Sequence, residues 1–249
     1  MNTPSTKIQR ALVTGGSRGI GFHITEMLIK QGIDVCIAGR NSEHLENARK
    51  KLTADDEANQ LRGKVYIVPI DLEKPDAPQK LIQTAGEKLG SLDLLVNNAG
   101  ISLNLPLEKT TIQDWDRVMH INARAPFFLC QEALPWLRKS AAPTIIQIAS
   151  VVSHAGYELQ SAYSASKHAL LGFTKAFAKE VQQEDIRIYT LSPGGVATKM
   201  IDSVRPDLDQ EDLIDPQEIA NMIWFLLTHR RNAMIDHITM RRVKKTAWI

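Results

Sequence analysis

The chain has 249 residues, of which 43% are hydrophobic and 23% charged, and its formal net charge is +2 at pH 7. That length can bury a large core in one piece, and the near balance of charge excludes a strong pull toward nucleic acid or an anionic membrane. The one dense run of a single sign, "RRVKK" at 241–245, reads as a solvated or subunit-facing tail.

Cys36 and Cys130 lie far apart in apolar segments without metal or redox spacing, so both are expected as buried, reduced packing residues. The seven histidines show no ligand spacing either, and no metal is expected. The opening "MNTPSTKIQR" lacks the apolar run of a leader, and no stretch is long and uncharged enough to span a bilayer. The expectation is a cytoplasmic protein of one domain, 1–249, with a flexible amino terminus over about 1–6.

In chain order, short apolar bursts alternate with longer segments of helical period, the pattern of βαβ units. "RALVTG", "DVCIAG", "KVYIVPI", "LDLLVNN", "TIIQIAS" and "IRIYTLS" read as strands, with "MIDHITM" weaker. Helices are expected at about 19–31, 42–60, 75–89, 111–140, 161–183 and 216–228. Each interior strand is nearly all apolar, as required when helices cover both faces of a parallel sheet. Right-handed crossovers then favour an α/β, Rossmann-like doubly wound sheet in the order 3-2-1-4-5-6-7, with ligands bound beyond the carboxyl ends of its strands.

After the first strand comes "TGGSRGIG", Thr14 to Gly21, and a helix follows at once. Gly15, Gly16, Ser17, Arg18, Gly19, Ile20 and Gly21 are candidate cofactor contacts. Such a turn lets backbone approach a pyrophosphate while the helix amino terminus directs N–H groups and partial positive charge at it. The second strand ends in Gly39, Arg40 and Asn41 without a carboxylate until Glu43. A carboxylate there would bind a free ribose hydroxyl and repel a phosphate, whereas Arg40, with Arg18, can clasp a 2′-phosphate. NADP is therefore expected over NAD, with two solvated arginines as the competing account. Asp71, followed by Leu72, either accepts from the adenine amino group or forms a turn. Asn98, Ala99 and Gly100 after the fourth strand suit a strand end that ties to its neighbour and leaves room for a flat ligand.

"YSASK", residues 163–167, places Tyr163 and Lys167 on one helical face, since positions i and i+4 are neighbours. Bringing a phenol from near pH 10 to about 7 takes about 4 kcal/mol of preferential stabilisation of the phenolate, and a nearby ammonium can supply much of it. Ser150, at the end of "TIIQIAS" and thirteen residues before Tyr163, can hold a carbonyl or alcohol for proton exchange. Asn122 sits inside an expected helix, where its side chain or local backbone can hold a water linking Lys167 to solvent.

In this order and spacing, the motifs "TGGSRGIG", "NNAG", Asn122, Ser150, "YSASK" and "SPGG" resemble the single-domain short-chain dehydrogenases/reductases over nearly the whole chain. The resemblance implies hydride transfer between a nicotinamide and a carbonyl or secondary alcohol. It assigns Tyr163 as acid/base, Ser150 as substrate anchor, Lys167 to Tyr163 and the nicotinamide ribose, and Asn122 to a proton relay. It places Pro193, Gly194, Val196 and Thr198 at the nicotinamide half, and Asn98 to Gly100 on the adenosine side; Arg18 with Arg40 resembles the NADP-preferring branch. One departure is the carboxyl terminus, "DHITMRRVKKTAWI", which lacks a glycine pair. It resembles sepiapterin reductase-like and hydroxy-acid dehydrogenase-like members more than ketoacyl reductases.

Three functions follow as expectations: a ketone or aldehyde reductase, a 3-oxoacyl thioester reductase or hydroxy-acid dehydrogenase, or a non-catalytic NADP-binding regulator. The intact set Asn122, Ser150, Tyr163 and Lys167 argues against the last. Residues 199–215 read as a substrate lid or a surface excursion, and Val152, His154, Gln160, Met200 and Ile201 as pocket walls. The apolar excess of 111–140 and 161–183 predicts a homodimer or homotetramer. The expected partners are a small carbonyl or alcohol substrate and further copies of the chain, with no nucleic acid and no membrane.

Overall fold

The structure, a computed structural model, describes residues 7–54, 63–204 and 207–247. Seven parallel strands form one sheet in the order β3-β2-β1-β4-β5-β6-β7. They are β1 (Arg10–Thr14), β2 (Asp34–Gly39), β3 (Val65–Pro69), β4 (Leu94–Asn97), β5 (Thr144–Ile148), β6 (Arg187–Pro193) and β7 (His237–Met240). The helices are α1 (Gly19–Lys30), α2 (Ser42–Thr53), α3 (Ala77–Leu89), α4 (Ile112–Met119), α5 (Ala125–Leu137), α6 (Ser161–Glu180), α7 (Lys199–Val204) and α8 (Pro216–Thr228).

The two faces follow from the period of the strands. Ala11, Val13, Ile37, Val96, Ile146 and Leu191 point to one side and pack with Ile24 and Leu28 of α1, Leu45 of α2 and Ile219 and Ile223 of α8. Leu12, Cys36, Leu95, Ile145 and Ile188 point to the other and meet Leu81 of α3, Leu129 and Ala133 of α5 and Phe173 of α6. The winding reverses between β1 and β4, whose registered pairs run from Ala11↔Leu94 to Val13↔Val96, so the turns after these two strands face each other.

The expected helices at 19–31, 75–89 and 161–183 lie within one to three residues of the drawn bounds, at Gly19–Lys30, Ala77–Leu89 and Ser161–Glu180, and two others differ more. The segment expected over 42–60 is helical over Ser42–Thr53, and its end, with the expected flexible segment 1–6, lies outside the described residues. The segment 111–140 divides into α4, one π turn at His120–Arg124, and α5. Pro126 explains the division: it has no N–H to meet the Asn122 carbonyl in the four-residue helical register. Of the expected lid, α7 and a 3₁₀ turn at Gln210–Asp212 are ordered elements, and 205–206 lie outside the described residues.

Candidate active site

At the mouth of β1, Gly15 and Gly19 take left-handed φ values of 66° and 53°. A Cβ at position 21 would lie 2.3 Å from the Gly15 carbonyl oxygen, so only glycine lets α1 start this close to the turn. Gly16 is buried against Ile37, Ser17 is half-buried beside Gly39, and Ile20 packs on the core. Arg18 is the N-cap of α1 in extended conformation and makes no side-chain cap, which leaves the first N–H groups of the helix without a side-chain partner. Arg18 and Arg40 are both exposed, and neither forms an ion pair among the described residues. Asn41 differs: its side chain accepts from His44 N at 2.8 Å and caps α2, which commits the amide oxygen to structure.

Across the switch point, the Thr14 hydroxyl accepts from the N–H of both Asn98 and Ala99, each at 3.0 Å. Asn98 Nδ2 donates to the Thr14 and Gly15 carbonyls at 2.9 and 3.2 Å. Asn98 is thus the tie between neighbouring strand ends that its position predicted, and Thr14 is the partner that sequence reasoning missed. Asn97 turns the other way, into the core, where it donates to Cys130 Sγ at 3.4 Å. Asp71 accepts from Glu73 N at 3.1 Å, which makes it a turn-former with one oxygen still unassigned, and Leu72 beside it is buried.

Tyr163 and Lys167 lie one turn apart near the start of α6. Lys167 is only 5% exposed; its Nζ donates to the Ile148 carbonyl at 2.9 Å and stands 6.0 Å from the centre of the Tyr163 ring. Burial pulls the ammonium down to about 8. Burial also pushes the Tyr163 phenol above its ordinary 10, against a smaller opposing effect of a hydrogen bond with Ser150. The direction is opposite to the sequence expectation of a phenol lowered by its lysine. Desolvation disfavours the charged form of both groups.

Ser150 caps the 3₁₀ turn Val151–Ser153 and reaches from the end of β5 to the Pro193 carbonyl at 3.5 Å. Asn122, fully buried, accepts from Ile101 N at 2.9 Å and donates to Ile101 O at 2.8 Å and Ser166 Oγ at 3.0 Å. Ser166 in turn donates to the Tyr163 carbonyl at 2.7 Å. The side chain of Asn122 is therefore committed, which closes the side-chain route to a bound water and leaves the backbone one. A Cβ at position 100 would stand 3.3 Å from Asn122 Oδ1 and 3.7 Å from Lys167 Nζ, so Gly100 borders the lysine and not, as the resemblance implied, only the adenosine side.

The turn after β6 completes the cleft. Gly194 N donates to the Met240 carbonyl at 2.7 Å, Val196 is buried in a bridge to Ile214, and the Thr198 hydroxyl donates to the Val196 carbonyl at 3.3 Å. The Thr198 methyl leans over Gly19 and brings the first and sixth strand ends face to face. Among the expected walls, Val152 is buried, Gln160 stands at the N-cap of α6, and Met200 and Ile201 lie on α7. His154 instead turns to β7, its Nε2 3.2 Å from that of His237. The tail at 241–245 is exposed except at Arg242, which is half-buried, and it touches Gly194, Gly195, Tyr157 and Asp212.

Among the described residues no helix is long and apolar enough to cross a membrane, and no group of three or more histidine, cysteine, aspartate or glutamate side chains could hold a metal ion.

The short chain dehydrogenase family model matches residues 9–209. An uncharacterised oxidoreductase of Staphylococcus aureus strain MW2 is 31% identical over 233 residues, 94% of this chain and 96% of that one. The short-chain dehydrogenase/reductase FrzI of a Cladobotryum species is 36% identical over 203 residues, 81% of this chain and 76% of that one. Among solved structures, the Pseudomonas aeruginosa RhlG/NADP active-site complex superposes with a TM-score of 0.84 at 30% identity, covering 96% of this chain and 97% of that one. With the strand order and the strand-end constellation, these matches identify an oxidoreductase: the chain belongs to the short-chain dehydrogenase family.

Proposed function

We propose that the protein is an NADP(H)-dependent reductase of ketones or aldehydes, or the corresponding secondary-alcohol dehydrogenase, with Ser150, Tyr163, Lys167 and Asn122 as its working set. The observation that carries this reading is the buried Lys167 ammonium one turn from the Tyr163 phenol, at the strand ends that also hold the glycine turn.

The residues present fit NADP. The uncapped amino terminus of α1 and the left-handed Gly15 and Gly19 make a backbone cradle for a pyrophosphate. Arg18 and Arg40, free of ion pairs among the described residues, supply the charge that a 2′-phosphate requires, and RhlG was solved with NADP. Asp71, Leu72, Asn98 and Ala99 would border the adenosine half, and Pro193, Gly194, Val196 and Thr198 the nicotinamide half. When bound, NADPH supplies a hydride.

The chain's own residues do the rest. The Ser150 hydroxyl holds the carbonyl oxygen in reach of the Tyr163 phenol, which a raised pKa keeps protonated at neutral pH. Tyr163 is thereby set as the general acid of carbonyl reduction, giving its proton to the oxygen as the alcohol forms. Lys167, still mostly charged at pH 7 with its value near 8, favours the phenolate left behind. The Ile148 carbonyl holds the lysine in place, and Asn122 ties Ile101 to Ser166 beside it.

Exposed Trp115, Phe127 and Phe128 on α4 and α5 support a homodimer or homotetramer, for which light scattering is the measurement. Reduced, buried Cys36 and Cys130 support a cytoplasmic location.

The test is NADPH consumption with a panel of ketones, aldehydes, oxoacyl thioesters and pterins, for wild type and Tyr163→Phe. The expected result is turnover of at least one substrate, clearly weaker use of NADH, and loss of nearly all activity in the variant. Equal turnover by Tyr163→Phe would remove the assigned role.

A further inference from the structure

Four cations stand within five residues of the carboxyl-terminal tail, and they have different environments. Arg241 Nη1 donates to the carbonyls of Arg242, Val243 and Lys245 at 3.1, 2.9 and 2.9 Å, which closes the tail into a tight turn. Lys244 pairs with Asp212 at 2.5 Å, and the Asp209 charge also acts on it, so the acids of that stretch are answered by Lys244. Lys245 stands 6.0 Å from the centre of the Tyr157 ring.

Arg242 is different. It is only partly exposed, and no carboxylate pairs with it among the described residues. A Cβ at position 195 would lie 3.5 Å from Arg242 Cδ and 3.6 Å from Arg242 Nε, and 3.1 Å from Leu213 Cδ2. The Arg242 stem therefore covers the glycine that follows the β6 turn. Gly195 is two residues from Pro193, whose carbonyl meets the Ser150 hydroxyl, so at most about 7 Å of chain separates them. On the other flank, Lys245 reaches the loop between Ser150 and Tyr163. A half-buried guanidinium without a counter-charge among the described residues keeps its planar fork available for an anion.

We propose that Arg242, with Lys245 at the rim, is the receptor for a carboxylate on the substrate, so that the carbonyl compounds handled here are oxo acids and the reverse substrates hydroxy acids. This rests on the reductase reading above and names its substrate class. The guanidinium fork suits a planar carboxylate through paired charge-assisted bonds, and Arg241 and Lys244 hold the tail that presents it.

The experiment compares 3-, 4- and 5-oxo acids with their methyl esters, and oxoacyl-coenzyme A with the uncharged N-acetylcysteamine thioester, on wild type, Arg242→Gln, Arg242→Lys and Lys245→Gln. The expected result is a preference of about ten- to a hundredfold for an oxo acid over its ester in kcat/KM, carried mainly by KM. Arg242→Gln abolishes it while leaving the ester rate and NADPH binding unchanged, and Arg242→Lys restores part. Calorimetric binding of the oxo acid to the NADP-loaded protein needs no turnover. Loss of that binding in Arg242→Gln supports the receptor even where no reduction is seen, which separates this inference from the reductase reading. Esters used as well as acids, no oxo-acid binding to wild type, or preference confined to the coenzyme A pair would each overturn it.

Discussion

Lys167 Nζ donates to the Ile148 carbonyl at 2.9 Å from a site only 5% exposed, and this burial sets the limits of the proposed catalysis. Its folded value near 8 lies below the ordinary 10.5, so between those values the unfolded chain carries more protons than the folded one. Stability from this group therefore rises with pH from about 8 to 10.5, and its cost is full at pH 7. Lys167→Met should leave the melting temperature at pH 7 unchanged or a few degrees higher, while kcat/KM for carbonyl reduction falls about a hundredfold or more. A large drop in both would make Lys167 a structural residue.

The elevated Tyr163 phenol predicts an asymmetry between the two directions. Reduction needs the protonated phenol and should hold level through neutral pH, declining as Lys167 loses its proton near 8. Alcohol oxidation needs the phenolate and should climb steadily into the alkaline range. Steady-state rates in both directions from pH 6 to about 10 check this; a level oxidation profile across neutral pH would mean a phenol already ionised.

Arg18 and Arg40 should act on the dinucleotide and not on the chemistry. Arg40→Ala or Arg18→Ala is expected to raise KM for NADPH about tenfold each, leave KM for NADH nearly unchanged, and leave kcat intact. Dinucleotide titrations followed by fluorescence measure this. Equal weakening toward both dinucleotides would return the two arginines to the role of solvated surface groups.

Much of this arrangement was legible in the sequence, and the exceptions have physical reasons. The parallel sheet was legible because β1, β2, β4, β5 and β6 carry apolar cores and are buried along nearly their whole length, as a doubly covered sheet requires, and right-handed crossovers then limit its order. The π turn at Asn122 was not, because a one-residue change in helical register leaves the apolar period nearly intact; Pro126, four residues on, was the available signal. The sign of the Tyr163 shift depends on how densely the fold encloses the phenol, which no spacing reveals. The tail was opaque because Arg242 and Lys245 acquire their meaning from Gly195 and Tyr157, contacts remote in sequence.

Asn122 separates positioning from chemistry. Its amide satisfies Ile101 N, Ile101 O and Ser166 Oγ in a fully buried site. Asn122→Ala should cost about 2–4 kcal/mol of stability by leaving those groups unpaired, with activity falling through the displaced Lys167. Asn122→Asp still accepts from Ile101 N but cannot donate to Ile101 O, so an intermediate loss is expected. Denaturant unfolding measures the order wild type, Asp, Ala; an alanine variant as stable as wild type would show that water replaces all three bonds.

The His154–His237 pair makes the last prediction. Their Nε2 atoms are 3.2 Å apart and His237 Nε2 lies 2.8 Å from Ser192 Oγ, so one ring nitrogen must lack a proton for the contact to bond. Both imidazoles are held below their ordinary 6.5, chiefly by burial; Lys175 and His168 add to this for His154, and His154 and Lys175 for His237. A depressed folded value means that the unfolded chain takes up protons first on acidification, so the stability of this contact is full above about pH 6.5 and is lost as pH falls toward the folded values. The melting temperature should decline between pH 7 and 5, and more steeply in wild type than in the double variant His154→Gln/His237→Gln. Parallel slopes in scanning calorimetry would assign the acid sensitivity to other groups, and protonation of this contact would then have no part in holding β7 to the loop that follows Ser150.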